Sequence, residues 1–431
     1  MVRFARACAL LLVAVAVSLP GSAQAATPTP APLGPDFLWG VASAGFQNEG
    51  NPPDSNWTRY VAGNTSYDKV GTSVDFRHRY ASDIQLARDL GVKVYRLSIE
   101  WSRIEPSPGH WDQTELAYYD DVLDHIVAAG MKPMITIDHW VYPGWEATLG
   151  GWSRAGMLDD WLANARLVVN RYAKYNPMWI TINEPSAYLL METRNGGLNP
   201  LYLPYAASQL VKAHRSIYDY IHSRQPRAMV SSNVAYFTGL EDVLDLLFMN
   251  QVSDKLDFIG VDYYYSATPT DLSVINSFTG DMWKASVSAD GLYYALRHYA
   301  KQLPGKPLYV VENGMPTENG KPRPDGYKRG DLLRDDIYWL QRAKADGMNV
   351  IGYNYWSMTD NYEWGSYSPR FGLYTVDVKT DPTLTRHPTD AVAAYKDLIA
   401  NGGVAAAYVP TRPPVFCSIV DLLDSCLRQV Q

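Results

Sequence analysis

The chain has 431 residues, 47% of them hydrophobic, with a formal net charge of −7 and a pI of about 5.6. That is apolar enough for a large core and excludes a disordered protein. The 38 Lys and Arg are scattered without a basic stripe, which argues against nucleic acid and anionic membrane surfaces as partners.

The first 26 residues have the form of a secretory signal peptide. Arg3 and Arg6 make a positive start, Ala7 to Leu19 is an apolar run too short to span a bilayer, and Ala23-Gln24-Ala25 is an A-x-A cleavage site. The expected location is therefore secreted or extracellular, in the periplasm or envelope if the source is bacterial. Residues 27–35, TPTPAPLGP, form a Pro-rich lead-in. Eight β-branched or aromatic runs follow: 37–44, 93–99, 132–138, 178–184, 228–237, 257–265, 307–312 and 350–357. Helical patterns lie between them. Tyr80, Ile84, Ala87 and Leu90 share one face before Gly91, and Tyr119, Val122, Leu123, Ile126 and Val127 share another before Gly130. Ile337, Leu340 and Ala343 repeat the plan before Gly347.

Eight strands alternating with helices predict a single-domain α/β fold over 36–402, a (β/α)8 TIM barrel. A doubly wound open sheet is the competing arrangement, but no G-x-G-x-x-G turn follows the first strand, which weakens its dinucleotide-binding version. Long insertions are expected at 188–207, 266–290 and 315–331, on the face where barrel sites are built. The tail, 403–431, either packs on the barrel or binds a partner. Its Cys417 and Cys426 suit a bridge in an oxidising compartment or two thiols on a small helix. Asn56 and Asn64 each open an N-x-S/T sequon.

The carboxyl ends of the predicted strands collect polar groups that scattered surface charges would not reproduce. Two stand out, Glu184 in WITINEP and Glu312 in YVVENG. A carboxylate ending an apolar strand needs a partner or a use. Two carboxylates across a pocket can cleave a glycosidic bond, one protonating the leaving oxygen and the other attacking the anomeric carbon, with retention when they lie about 5–5.5 Å apart. Strands four and seven face each other across a barrel, so the pairing is feasible. The bland alternative is two solvated rim carboxylates. The plentiful aromatics, 31 Tyr and 13 Trp, are mostly core residues by default and hint only weakly at carbohydrate.

Six ordered motifs carry a resemblance. They are FLWGVASAGFQNEG (37–50), RHRYASDIQLARDLGVKVYRLSIEWSRIEP (77–106), ITIDHW (135–140), TINEP (181–185), VENG (311–314) and WSMTDNYEW with RFGLYTVD (356–377). From Phe37 to about Pro388 the chain resembles glycoside hydrolase family 1, the β-glucosidase family of retaining enzymes. The resemblance implies that Glu184 is the acid/base and Glu312 the nucleophile. It implies that Asn183 bonds the sugar 2-hydroxyl, that Arg96 holds Glu312 ionised and that Tyr264 orients it. Gln47, His139, Glu363 and Trp364 would grip the sugar hydroxyls, with Trp356 as the floor. Taken singly, His139 could be a satisfied core histidine, Trp356 and Trp364 ordinary core, Gln47 a loop residue and Arg96 half of a structural ion pair.

Two departures from the family pattern matter. Asp262 stands where the family usually has Asn, putting a third carboxylate near the pair, and its charge is expected to favour a protonated Glu184. Phe76 replaces a His that the family often carries, which predicts a change in packing. Glu363 replaces the Ser found in relatives that act on 6-phosphorylated sugars, so an unphosphorylated sugar is expected. The implied activity is a secreted retaining β-glycosidase, most simply a β-glucosidase, acting on a small-molecule or oligosaccharide β-glycoside with no cofactor, no metal and no membrane span. The alternatives are a transglycosylase on the same site and a catalytically silent sugar-binding barrel.

Overall fold

Eight parallel strands close on themselves in the order in which the chain makes them: β1 (Leu38–Ala42), β2 (Val94–Ser98), β3 (Lys132–Asp138), β4 (Met178–Asn183), β5 (Met229–Ala235), β6 (Ile259–Tyr263), β7 (Leu308–Asn313) and β8 (Val350–Trp356), which pairs with both β7 and β1. The structure, a computed structural model, describes residues 30–414 apart from 238, 266–272, 274–275 and 277–279. The signal segment and the Cys417/Cys426 pair lie outside the described residues. Each strand falls within a residue or two of its predicted run, because strands covered on both faces must be apolar almost throughout.

Helices cover the outside. Phe76–Leu90 ends on Gly91 at φ 87°, a left-handed position that glycine occupies without a Cβ clash. Gln113–Ala128 starts at Asp112, whose carboxylate accepts from the Thr114 and Glu115 amides. The predicted face of this helix is buried at Tyr119, Val122, Leu123 and Ile126, whereas Val127 points outward. Each buried Val, Leu or Ile of such a stripe contributes on the order of 1.5–3 kcal/mol. Phe76 is buried against Tyr95, their rings 6.4 Å apart, so the His-to-Phe departure is a matter of packing. A second cluster gathers Val94, Met134, Ile180, Tyr309 and Val311 from β2, β3, β4 and β7.

Of the expected loops, one is mostly helix and another carries a short strand. Within 188–207 only 195–202 connects helices Pro185–Arg194 and Leu203–Arg224. Within 315–331, Thr317–Glu318 forms a small antiparallel ladder with Pro369–Arg370. The start of the tail packs on the barrel: Tyr408 and the Thr411 amide both donate to Asp335 of helix Arg329–Ala345. At the other end the Leu33 amide donates to Gly402 O, closing the lead-in onto the last helix.

Candidate active site

The barrel ladder slips register between Ile180 and Asn183 on β4, and where Val261 and Asp262 of β6 meet Val310 and Glu312 of β7, leaving Val311 as the extra residue. An extra residue at such a slip re-aims the side chains that follow it. The residues delivered here are Asn183 beside Asn233, and Asp262 beside Glu312. Glu184 then leaves the strand at φ 40°, ψ 61°. Pro185 fits the first turn of the helix that follows, while Glu184 itself sits outside the extended region that a following proline favours. Trp140 (φ 71°) and Trp364 (φ 44°) also hold left-handed backbones at the mouth. Such positions cost on the order of 1–3 kcal/mol each and persist where the surroundings over-determine them.

Ten of the eleven predicted side chains line one cavity of about 710 Å³, and Arg96 lies directly behind it, fully buried. Arg96 donates through Nη1 to Glu312 Oε1, through Nη2 to Asn183 Oδ1 at 2.5 Å and through Nε to Thr136 Oγ1 at 2.9 Å. Tyr264 donates to Glu312 Oε2 at 2.7 Å. Both oxygens of Glu312 are thus held, one by a cation and one by a phenol. Asn183 Oδ1 also accepts from Asn233 at 2.7 Å, so its amide nitrogen is the end left for Glu184 and the cavity. Burial, and then the charge of Glu312, push the Glu184 carboxyl up to about 8, with Arg96 pulling the other way. At neutral pH Glu184 therefore holds a proton beside a carboxylate paired with Arg96.

Asp262 departs from expectation. Its Oδ2 accepts from Asn233, while Oδ1 takes no donor within the protein. Its own carboxyl is driven well above the usual range by burial and by the charges of Glu312 and Glu184. The repulsion therefore falls on Asp262 too. The contact with Asp262 lowers the Glu184 pKa, the reverse of the expected effect. Three carboxyls crowded into one dry site cannot all ionise, and the shift falls on the two without a cation or a phenol, Glu184 and Asp262.

On the opposite wall Gln47 Nε2 donates to Asn361 Oδ1 at 3.1 Å and to Glu363 Oε2 at 3.3 Å, and Trp356 Nε1 donates to Glu363 Oε1 at 3.1 Å. His139 stacks between Trp356 and Trp364, with centroids 5.9 Å away on each side. Burial and the Arg96 charge keep its imidazole neutral, well below the usual histidine range. Gln47 Oε1 and His139 Nδ1 are buried and bond nothing within the protein. Buried polar atoms normally find partners, so a wall that leaves these facing a cavity is built for a ligand rich in hydroxyls.

The structure gives contacts to strand-end residues for which the sequence assigned no role in the site. Asn233 ties Asn183 to Asp262 from the interior of β5, signalled only by polar residues in a central strand. Trp140 lies against Trp364 at 4.8 Å and donates to Asn183 O. Gly314 is required by close approach: a Cβ there would sit 2.0 Å from Trp356 O. Asn56, by contrast, is fully buried and bonded to Trp140 O and Glu192, so its sequon is part of the core.

Comparison with known proteins bears on this site. The sequence profile of glycosyl hydrolase family 1 matches residues 30–240 and 246–404. The chain belongs to glycosyl hydrolase family 1. It is 26% identical to beta-glucosidase A of Thermotoga maritima over 85% of this chain and 98% of the relative. It is 29% identical to the chloroplastic galactolipid galactosyltransferase SFR2 of Arabidopsis thaliana, over 75% of this chain and 57% of that one. A solved beta-glycosidase from Pyrococcus horikoshii superposes with a TM-score of 0.75 at 27% identity, covering 87% of this chain and 97% of that one. This family 1 chain is accordingly an O-glycosyl hydrolase on a (β/α)8 barrel.

Proposed function

We propose that this enzyme is a retaining β-glycosidase, most simply a β-glucosidase, that releases a terminal unphosphorylated sugar by double displacement. The observation that supports the reading is the asymmetry of the pair: Glu312 bonded to Arg96 and Tyr264, Glu184 carrying a proton to about pH 8. Glu312 attacks the anomeric carbon as the glycosidic C–O bond breaks, and the Glu184 proton goes to the leaving oxygen. Once Glu312 is esterified its charge is gone, and with it the strongest influence after burial that raises Glu184. Glu184 then becomes the base that takes a proton from water. The water oxygen bonds to the anomeric carbon, the bond to Glu312 breaks, and both carboxyls return to their starting states. The Asn183 amide is placed to donate to the 2-hydroxyl, where contacts strengthen in the transition state. Gln47, His139 and Glu363 take the remaining hydroxyls over Trp356.

The same reading has the enzyme exported, on the strength of residues 1–26. A second reading, transfer of the sugar to an acceptor other than water, draws on the galactosyltransferase among the relatives. Both use one glycosyl-enzyme and differ in product when an alcohol is added. The test is a panel of aryl β-glycosides on wild type and Glu312→Gly. Wild type releases phenol and the variant does not. Full activity in the variant removes Glu312 from its role, and no turnover by wild type removes the glycosidase reading.

A further inference from the structure

Ten large hydrophobic residues stand exposed among those described, and seven of them fall in 190–205 and 240–246. These segments form one sector of the rim. Helix Glu241–Leu247 is bound to helix Pro185–Arg194 by Ser186 Oγ, which donates to Leu244 O at 3.1 Å. Helix Glu241–Leu247 is amphipathic in the inverted sense. Glu241 and Asp245 are buried, Asp245 bonded to His298 and Tyr299, while Val243 and Leu246 are 61% and 64% exposed, with Asp242 the one exposed charge of the helix. Next to it the stretch from Asn195 to Val211 holds no charged residue, and within it Leu201 is 86% and Tyr202 50% exposed. An apolar patch of this kind, rimmed by tyrosines, is unusual on a surface that meets only water.

The patch is continuous with the catalytic cavity. Leu190 is 42% exposed and also lines the cavity, whose outer wall near it is made of Ala187, Met191, Phe237 and Met282. The C-terminal segment leaves elsewhere, with Arg412 against Tyr327 in the stretch that follows β7. A second copy of the chain seated on the patch would close the cavity mouth, whereas an extended apolar aglycone would lie along both.

We propose that Leu201, Tyr202, Tyr205, Leu240, Val243 and Leu246 rest on a neutral lipid–water surface, from which the site takes β-glycosides with a long apolar aglycone. The lack of charge from Asn195 to Val211 fits a zwitterionic or uncharged surface, since anionic lipid is recognised by clustered Lys and Arg. This rests on the glycosidase reading. Apolar burial at the interface holds the enzyme, and the reaction is the one already described.

The test uses the full-length enzyme and a variant carrying Leu201→Glu, Val243→Glu and Leu246→Glu, none of which lines the cavity. Probes are nitrophenyl β-glucoside in solution, dodecyl β-glucoside in phosphatidylcholine vesicles, and co-sedimentation with the same vesicles. The expected result is vesicle binding by wild type, lost in the variant, with turnover of the vesicle-borne glycoside reduced about tenfold or more. Soluble-substrate turnover stays within about twofold, which shows that the variant is folded. Equal turnover of the vesicle-borne glycoside by both proteins overturns the proposal. So does a wild-type dimer that the substitutions split with no vesicle binding by either protein. Failure of wild type on both substrates overturns the glycosidase reading itself, and vesicle binding then reports on the patch alone.

Discussion

Asp262→Asn separates two accounts of the third carboxylate. A charged Asp262 in contact with Glu184, at about 4 Å and an effective dielectric of about 20, would oppose ionisation of Glu184 by about 4 kcal/mol, or about 3 pH units. Substitution by a neutral amide would then bring Glu184 down from about 8 by much of that amount. In the structure burial and the charges of Glu312 and Glu184 push the Asp262 carboxyl well above its usual range, beside Glu184. An amide keeps a donor there and removes no charge, so Glu184 moves by less than about half a unit. The assay is kcat/KM against pH for an alkyl β-glucoside, whose leaving oxygen needs the proton. Its alkaline limb reports the acid in the free enzyme. A limb that drops by more than about one unit refutes the neutral-donor account. A limb that holds its place, with a modest loss of rate, supports it.

Tyr264→Phe removes one charge-assisted bond to Glu312 while leaving Arg96 in place. Such bonds are worth about 1.5–3 kcal/mol, so kcat falls by about 10- to 150-fold with little change in melting temperature. Stability is expected to fall with rising pH. Glu184, Glu363 and Glu100 are each held up to about 8 from 4.5, chiefly by burial. The unfolded chain therefore loses these protons first. Stability is fully present below about pH 4.5 and declines until about pH 8, by on the order of 1 kcal/mol per pH unit per group. Thermal melts across that range show the decline, and Glu363→Gln makes it shallower. A melting temperature that rises over the same range contradicts the buried neutral carboxyls.

The strands were legible in the sequence because a parallel barrel buries both faces of each one and so needs a nearly continuous apolar run. The eight runs, the polar strand ends and the Asn-Glu-Pro and Glu-Asn-Gly settings placed the barrel and ten cavity-lining residues correctly. What escaped depends on neighbours far apart in the chain. The slips on β4 and β7 leave no compositional mark, yet they set the aim of Asn183 and Glu312. Arg96 and Tyr264 hold Glu312 as the resemblance implied, but that burial would push Asp262 itself up beside them was not foreseen. Reading 188–207 as a loop undercounted helix, because Pro185, Pro200 and Pro204 resemble loop residues but sit in the first turns of helices, where proline costs nothing. Helix Glu241–Leu247 was invisible as a surface feature, since two of its three acidic residues, Glu241 and Asp245, point inward against the usual rule.

The central claim is that Glu312 forms a covalent bond to the sugar, and trapping tests it most directly. A 2-deoxy-2-fluoro-β-glucoside with an activated leaving group slows both steps by destabilising the oxocarbenium-like transition state, and release of the glycosyl-enzyme is slowed more. The account predicts one equivalent of leaving group released in a burst, loss of activity, and a fluoroglucosyl label found by mass spectrometry on the peptide carrying Glu312. A label on Glu184 or Asp262 contradicts it, and so does unlabelled enzyme that turns over β-glucosides with inversion at the anomeric carbon.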